Sequence, residues 1–377
     1  MAVDGNQWTS VAYGNGRFVA VAPSQPFRNA LPPLTMSSTD DGVTWNGHPS
    51  SDDTNYNVNG GPASSWNTVT YGNGRFVALG FNTAAMSSTD DGNTWTGHLS
   101  SSDGNSMWSS VTYGNGCFVA VGSRHYDDPG VIPRKYGTMT STDNGITWTG
   151  HVSSDDNNAW ASVTFGKGRF VAVAKSGIAP RTMTSTDNGI TWTGYPSSND
   201  DNQWYSVTFG NGCFVAVASG YYSKDGGKNR TMTSTDNGIT WTGHPASSDD
   251  NFWNSVAYGY GFFVAVADSG YGPRTTTGYK DPRTMTSTDN GITWTGHVSP
   301  NDYNSWSING WSSVTFGNGR FVAVAASGTN RTMIGSAPPP PPSPPSPPFP
   351  PSPPPPSPPS CFFYASDQSG GWQSISG

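Results

Sequence analysis

One phrase of eight residues recurs along this chain and limits what it can fold into. The copies stand at Ser38–Trp45, Ser88–Trp95, Ser141–Trp148, Ser185–Trp192, Ser234–Trp241 and Ser287–Trp294, and the last four read Ser-Thr-Asp-Asn-Gly-Ile-Thr-Trp without a change. Six copies would mean six equivalent active sites. We therefore interpret the phrase as part of a repeating scaffold, not as a catalytic motif.

A longer repeat surrounds the phrase. Each repeat opens with a tryptophan in an aromatic-rich run, and these residues are Trp8, Trp66, Trp108, Trp160, Trp204, Trp253 and Trp311. Consecutive openings lie 42 to 58 residues apart, a period typical of propellers and solenoids. Such units bury their apolar faces only by stacking on one another, so the sequence predicts that residues 1–336 form a single repeat domain.

Composition indicates strands within each repeat. The chain contains no glutamate and four leucines, whereas threonine, valine and aromatic residues are abundant, and these residues favour pleated strands. In the fourth repeat the pattern predicts strands at Ser162–Phe165, Arg169–Ala174, Thr182–Thr186 and Thr191–Gly194, joined by glycine-containing turns. Four antiparallel strands per repeat make a propeller blade.

The predicted fold is therefore an all-β, seven-bladed β-propeller of four-stranded antiparallel blades, with six or eight blades as the alternatives. The last blade is predicted to be incomplete, because the seventh repeat ends after Arg331-Thr-Met333 without another copy of the phrase. The alternative is that Cys361–Ser366 folds back and completes it. Closing the sheets into a ring would remove exposed strand edges.

The phrase resembles the Asp-box, Ser-x-Asp-x-Gly-x-Thr-Trp, and the repeats resemble the BNR/Asp-box repeats of sialidase-like propellers. The resemblance implies a turn between the third and fourth strands, in which Ser and Asp bond the local backbone and Trp packs between blades. These structural residues are Ser38, Asp40, Gly42, Trp45, Ser88, Asp90, Gly92, Trp95, Ser141, Asp143, Gly145, Trp148, Ser185, Asp187, Gly189, Trp192, Ser234, Asp236, Gly238, Trp241, Ser287, Asp289, Gly291 and Trp294.

Residues 337–360 form a segment of different composition. From 338 to 360 it contains 17 prolines, five serines and one phenylalanine, which predicts a polyproline II linker of roughly 70 Å. It resembles the hydroxyproline-rich stalks of plant and green-algal wall glycoproteins; the alternative is a PxxP ligand for SH3 or WW domains. Residues 361–377 are a short tail or the start of a truncated module.

Charge and hydropathy exclude two classes of partner. A net charge of −7 and a pI near 5.2 argue against nucleic acid, which needs clustered cations. No apolar run approaches the ~20 residues that span a bilayer. We expect the propeller to be monomeric.

The loops of variable length indicate the working face. They connect the second and third strands, and loops on a regular scaffold are where binding functions tend to lie. The candidate ligand is a glycan or a protein, contacted by Tyr126, Tyr136, Arg181, Tyr221, Tyr222, Arg230, Tyr271, Tyr279, Arg283 and Arg331. Surface tyrosines without a ligand, and arginines that bond neighbouring blades, are the alternative interpretation.

Catalysis is not expected, and no catalytic residue is assigned. Sialidases of the resembled family pair a tyrosine with a glutamate, and this chain has no glutamate. One alternative is a glycoside hydrolase using an aspartate pair such as Asp127/Asp128. A second is a scaffold like the Asp-box propellers that assist photosystem II assembly, which is suggested by the fold alone.

No cofactor is predicted. Calcium is an alternative, because junction carboxylates such as Asp156, Asp201 and Asp250 supply hard oxygen ligands; the other interpretation is solvated Asx-turns. The stalk predicts an extracellular or cell-wall location, although residues 1–20 show no signal peptide. In that location Asn229 and Asn330 would be glycosylation sequons.

Overall fold

A computed structural model describes residues 6–23, 33–51, 65–81, 84–100, 106–124, 136–219, 229–268, 282–299, 310–326, 331–336, 364–366 and 372–374. It divides into two compact units, Met1–Pro339 and Pro340–Gly377. The strands of the first unit are β1 Ser10–Gly14, β2 Arg17–Val21, β3 Thr35–Ser38, β4 Asn46–His48, β5 Trp66–Gly72, β6 Arg75–Gly80, β7 Ala84–Ser88, β8 Thr96–Leu99, β9 Ser106–Gly114, β10 Cys117–Arg124, β11 Thr138–Ser141, β12 Thr149–His151, β13 Ala159–Gly166, β14 Arg169–Ser176, β15 Thr182–Ser185, β16 Thr193–Tyr195, β17 Gln203–Gly210, β18 Cys213–Ser219, β19 Thr231–Ser234, β20 Thr242–His244, β21 Phe252–Gly259, β22 Phe262–Asp268, β23 Thr284–Ser287, β24 Thr295–His297, β25 Trp311–Gly317, β26 Arg320–Ala325 and β27 Thr332–Ser336.

The second unit contains two described strands. They are β28 Tyr364–Ser366 and β29 Trp372–Ser374, which pair antiparallel. Among the described residues, no helix reaches the length and apolarity that crossing a bilayer requires.

The fourth repeat illustrates the local structure. Its strands follow one another as an antiparallel meander, β13-β14-β15-β16. The turn between β13 and β14 places Lys167 at φ 48° and Gly168 at φ 71°. Two consecutive positive φ values suit a two-residue hairpin turn, because its twist matches that of the flanking strands.

The all-β propeller class is confirmed, but the predicted count of seven four-stranded blades is wrong. Hydrogen bonding joins the described strands into five sheets of four or more strands: β1–β4, β5–β8, β9–β12, β13–β16 and the eight-stranded β17–β24. A pairing of Ser219 with Phe252 merges the fifth and sixth repeats into one sheet. The seventh repeat forms the three-stranded sheet β25-β26-β27, since no copy of the phrase follows Ser336 to supply a further hairpin.

Adjacent repeats interlock through glycines at the ends of their first strands. A Cβ added at Gly114 would lie 2.1 Å from the Phe165 ring of the next repeat, and one at Gly317 would lie 2.0 Å from the Tyr13 ring of the first. Only glycine allows a neighbouring ring to approach this closely. The seventh repeat therefore packs directly on the first, and the repeats close into a ring.

The hydrophobic core lies between repeats. Trp148 of the third repeat packs with Val77 and Leu79 of the second and with Phe118 and Met139 of its own repeat. Equivalent clusters combine residues of each neighbouring pair. Burial of this apolar surface holds the ring together.

The recurring phrase forms a turn that we call the tryptophan turn, Ser38–Trp45 and its five equivalents. In the third repeat, Asp143 Oδ1 accepts hydrogen bonds from Ser141 Oγ at 2.8 Å and from the Thr147 amide at 2.9 Å. Trp148 Nε1 donates to the Gly145 carbonyl at 3.0 Å. The aspartate thus holds a turn that aims the indole into the junction with the preceding repeat.

Candidate binding cleft

The tryptophan turn fills the junction between repeats at six places. Its glycine lies over the first valine of the preceding repeat's second strand, so that a Cβ on Gly145 would meet Val77 at 2.8 Å and one on Gly238 would meet Val171 at 3.0 Å. Its tryptophan packs below, against the same strand. The valines of these junctions, such as Val77 and Val171, are fully buried.

The junction between the sixth and seventh repeats lacks this plug in the described part of the chain. There Val264 and Val266 face Val314, Phe321 and Ala323 with no tryptophan of the turn between them. A cavity of about 340 Å³ occupies the place. Its lining, which we call the apolar cleft, consists of Phe262, Val264, Val266, Thr284, Thr286, His297, Val314, Phe321, Ala323, Met333, Ile334, Gly335 and Ser336.

Burial differs between the cleft and its counterparts. Val264 and Met333 are only partly buried, whereas Val171 and Met183, their equivalents at other junctions, are fully buried. The same positions that elsewhere enclose an indole are here only partly covered by the described residues. Because their side chains are apolar, covering them would be favourable.

Two residues at the rim of the cleft depart from the repeat pattern. Phe262 stands where four other repeats carry arginine and two carry cysteine. Elsewhere this arginine faces the next tryptophan turn, as where Arg320 Nε lies 3.5 Å from Asp41 Oδ2. With no such turn ahead of it among the described residues, the sixth repeat presents a partly buried aromatic ring instead.

The second departure is Tyr260, in the hairpin turn of the sixth repeat. Five of the other six repeats bridge to a tryptophan turn through an asparagine at this position, for example Asn73 Nδ2 to Asn144 Oδ1 at 2.6 Å and Asn318 Nδ2 to Asp41 Oδ1 at 2.7 Å. Tyr260 instead packs edge-on against the Phe316 ring, with centroids 5.1 Å apart. The polar link is thus replaced by aromatic contact only at the cleft.

The cleft adjoins a sheet edge. Among the described strands β27 pairs only with β26, through Val322 and Ile334 and their neighbours. Gly335 and Ser336 are exposed. In the third repeat the corresponding edge is occupied by β12, with Met139 paired to Gly150. An edge of this kind offers backbone donors and acceptors for one further strand.

Three polar side chains of the cleft, Thr284, Thr286 and His297, belong to the sixth repeat. His297 Nε2 and Thr286 Oγ1 are 2.8 Å apart. The equivalent His151 bonds Thr140 Oγ1 at 2.9 Å, and desolvation lowers the pKa of His151, although the Asp187 charge opposes the shift. The recurring histidine therefore ties the third and fourth strands of a repeat together.

The turn aspartates are held as carboxylates. Thr44 Oγ1 donates to Asp40 Oδ2 at 2.6 Å and the Thr44 amide to Asp40 Oδ1 at 2.8 Å. These bonds, led by that of the hydroxyl, lower the pKa of Asp40 to about 2. A group this strongly committed to its own turn serves the scaffold.

The arginines of the predicted working face contact backbone and junction residues. Arg230 is 3% exposed, and its Nη1 donates to Asn202 Oδ1 at 2.6 Å. Arg181 Nη2 donates to the Gly177 carbonyl at 3.1 Å, Arg331 donates to the Asn6 carbonyl, and Arg283 is buried. The structure places Arg181, Arg230 and Arg331 at junctions between repeats.

The remaining predicted ligand contacts lie largely outside the described residues. These are Tyr126, Tyr221, Tyr222, Tyr271 and Tyr279. The sequon residue Asn330 and the Asp127/Asp128 pair of the hydrolase alternative also lie outside the described residues. Of the described ones, the Tyr136 ring lies against Gly150, and Asn229 is exposed at φ 66°.

The candidate calcium ligands stand at repeat junctions. Asp156 Oδ1 accepts hydrogen bonds from the Ser153 amide at 2.9 Å and from Ser153 Oγ at 2.6 Å, so its carboxylate is bound to the segment that precedes it. Asp201 and Asp250 are exposed. Within the described ranges, no three acidic, histidine or cysteine side chains converge as a metal site would require.

Sequence reasoning anticipated that the seventh repeat stops short but assigned no function to the gap. The signal that could have found the cleft is Phe262, the one aromatic residue at a position otherwise held by arginine or cysteine. Reading its meaning required knowing that this position faces the tryptophan turn of the next repeat.

Comparison with known proteins shows the fold. No model of a known protein family matches the sequence, and no curated protein matches it. Among solved structures, YCF48 from Cyanidioschyzon merolae is similar, with a TM-score of 0.58 and 14% identity over 89% of this chain and 96% of that one. A structure of YCF48 bound to D1 peptide gives a TM-score of 0.55 and 13% identity over 85% of this chain and 91% of that one.

A glycoside hydrolase is also similar. The GH74 enzyme of Niastella koreensis gives a TM-score of 0.58 and 15% identity, covering 88% of this chain and 54% of that enzyme. The chain thus spans about half of the GH74 enzyme. At these identities the likeness concerns the propeller fold alone.

Proposed function

We propose that the chain is a non-catalytic binding propeller whose ligand is a peptide segment of another protein, seated in the apolar cleft. The observation that carries the proposal is the cleft itself, an apolar junction that no described residue plugs, whereas a tryptophan plugs the six others.

The size and surface of the cleft support a ligand of this kind. Its volume of about 340 Å³ falls in the range of known ligand pockets, roughly 300–1,000 Å³. Partly buried Phe262, Val264 and Met333 supply apolar contact, and β27 supplies a sheet edge alongside. An apolar seat beside a free edge is the arrangement that binds extended peptides by strand addition.

A structural neighbour favours a protein ligand over a glycan. YCF48, a propeller of similar fold, is solved bound to D1 peptide, which supports peptide recognition as a use of this architecture. The extracellular or cell-wall location is a separate proposal, which rests on the proline-rich linker. It is tested by mass spectrometry of the native protein for glycan at Asn229.

The test uses a display library of random linear 12-residue peptides, selected against the immobilised full-length chain. Phe262→Arg introduces the residue that four other repeats carry at this position, so it makes the rim cationic without a new steric demand. Ile190→Arg is the matched control, because Ile190 is an exposed apolar residue (52%) far from the sixth repeat in sequence.

Selected peptides are expected to bind the wild-type and Ile190→Arg chains equally and to lose roughly tenfold or more in affinity for Phe262→Arg, since covering an apolar side chain is worth about one to two powers of ten. Peptides that bind all three chains equally, or a selection that yields none, would reject the cleft as the binding site.

A further inference from the structure

We infer that the ligand completes the seventh repeat: its chain adds to β27 as a fourth strand and it inserts a tryptophan side chain, preceded by Gly-x-x, into the apolar cleft. This inference rests on the proposed function and specifies the chemistry of the partner.

At six other junctions of the same molecule a tryptophan side chain fills the equivalent space. Trp148 is 8% exposed between Val77 and Leu79 on one side and Met139 on the other. The cleft presents the equivalent Val264, Val266 and Met333. The walls therefore match an indole in both shape and apolarity.

The turn glycine sets a second requirement. Added Cβ atoms at Gly92, Gly145 and Gly189 would all come within 3.0 Å of a valine of the preceding repeat. The counterpart of that valine at the cleft is Val264. A ligand that follows the same path must therefore carry glycine three residues before its tryptophan, where no side chain fits.

The strand edge sets the third requirement. Where a fourth strand is present, it begins directly after the tryptophan and pairs antiparallel with the third, as in Thr138↔His151 and Thr140↔Thr149. The corresponding positions of β27 are Thr332 and Ile334, by their pairing with Val324 and Val322. Among the described strands none occupies this edge. Backbone pairing here contributes affinity, and the pocket that takes the indole gives specificity together with the free energy of burying an apolar side chain.

The probe is a fluorescent synthetic peptide with the sequence of residues 141–151, Ser-Thr-Asp-Asn-Gly-Ile-Thr-Trp-Thr-Gly-His, titrated into the full-length chain by anisotropy. We expect saturable binding that weakens roughly 10- to 100-fold when the peptide carries Trp148→Ala. A comparable loss is expected for Gly145→Ala in the peptide, and for backbone N-methylation at the residue that pairs with β27. Because these changes are in the ligand, they leave the folding of the chain untouched.

The outcomes separate this inference from the proposed function. If library peptides lose binding to Phe262→Arg but contain no tryptophan, the apolar cleft remains the binding site. The inference that the ligand inserts a tryptophan would then be wrong. Binding of the probe that is unaffected by Trp148→Ala or by N-methylation would overturn it as well. If the unlabelled chain self-associates and Phe262→Arg abolishes that self-association, the occupant of the apolar cleft is a second copy of this chain. That result would reject a different protein as the partner.

Discussion

Replacing the tryptophan of one turn by alanine should reproduce the cleft at a second junction. Trp148→Ala removes a side chain that is 8% exposed and packs with Val77, Leu79 and Met139. It also removes the indole's hydrogen bond to the Gly145 carbonyl. Burial of ~150–250 Å² at ~25 cal/mol per Å² gives about 4–6 kcal/mol, and measured substitutions of this kind cost about 3–5 kcal/mol. We expect a loss of about 4 kcal/mol in the free energy of unfolding.

The assay is urea denaturation followed by circular dichroism, with Ile146→Ala as the control. Ile146 lies in the same turn, two residues before the tryptophan, but is 40% exposed. Its truncation should stay within about 0.5 kcal/mol of wild type. If Trp148→Ala costs no more stability than Ile146→Ala, the tryptophan does not plug its junction. The argument that the junction between the sixth and seventh repeats lacks a plug would then fail as well.

Three further predictions concern the scaffold. Gly114→Ala should cost about 3 kcal/mol in a denaturant melt, because the new Cβ would lie 2.1 Å from the Phe165 ring and overpacked sites strain their neighbours. Gly116→Ala, in the same hairpin, meets nothing within 4 Å and has φ +79°, so it should cost only about 1 kcal/mol; equal losses would contradict the interlock. The hydrogen bond from the Thr44 hydroxyl lowers the pKa of Asp40 to about 2, below its unfolded value of ~3.9. The stabilisation is therefore present above pH ~4 and lost as the pH falls towards 2, and Asp40→Asn should lower the melting temperature at pH 6 but not at pH 2. Burial lowers the pKa of His151, so the folded state binds fewer protons than the unfolded state and stability falls as the pH drops below ~6.5. His151→Tyr, the residue of the fourth repeat, should reduce the difference in melting temperature between pH 7.5 and pH 5, and an unchanged difference would assign it to other groups.

The sequence predicted the hairpins well because their signals are local. The Gly-x-Gly turn predicted for residues 166–168 lies at the hairpin between β13 and β14, whose backbone needs two positive φ values. The fourth strand was predicted from Thr191, but β16 begins at Thr193. Thr191 is still bonded through its amide and hydroxyl to Asp187, so the turn extends two residues further than the propensity of threonine suggested.

The candidate site was harder to predict, since it depends on contacts between residues far apart in sequence. The sequence showed Arg181 and Arg230 as a recurring positive charge, but it did not show their hydrogen-bond partners. Those partners are the Gly177 carbonyl and Asn202 Oδ1, which the fold brings to the two arginines. Phe262 stood out only as a departure from a pattern. Its partner position belongs to another repeat, 71 residues away in the equivalent pair Asn73 and Asn144.

By itself the sequence determined that this chain is an all-β repeat protein whose phrase forms a turn, because strand propensity, glycine turns and a carboxylate that caps its own amides act within a few residues. Tertiary structure alone decided how the repeats join into sheets, which junction the described residues leave without a tryptophan plug, and that Val264 and Met333 line it. Those outcomes follow from packing between neighbours in the ring. Whether an apolar side chain is buried depends on what the adjacent repeat places over it, which no local pattern records.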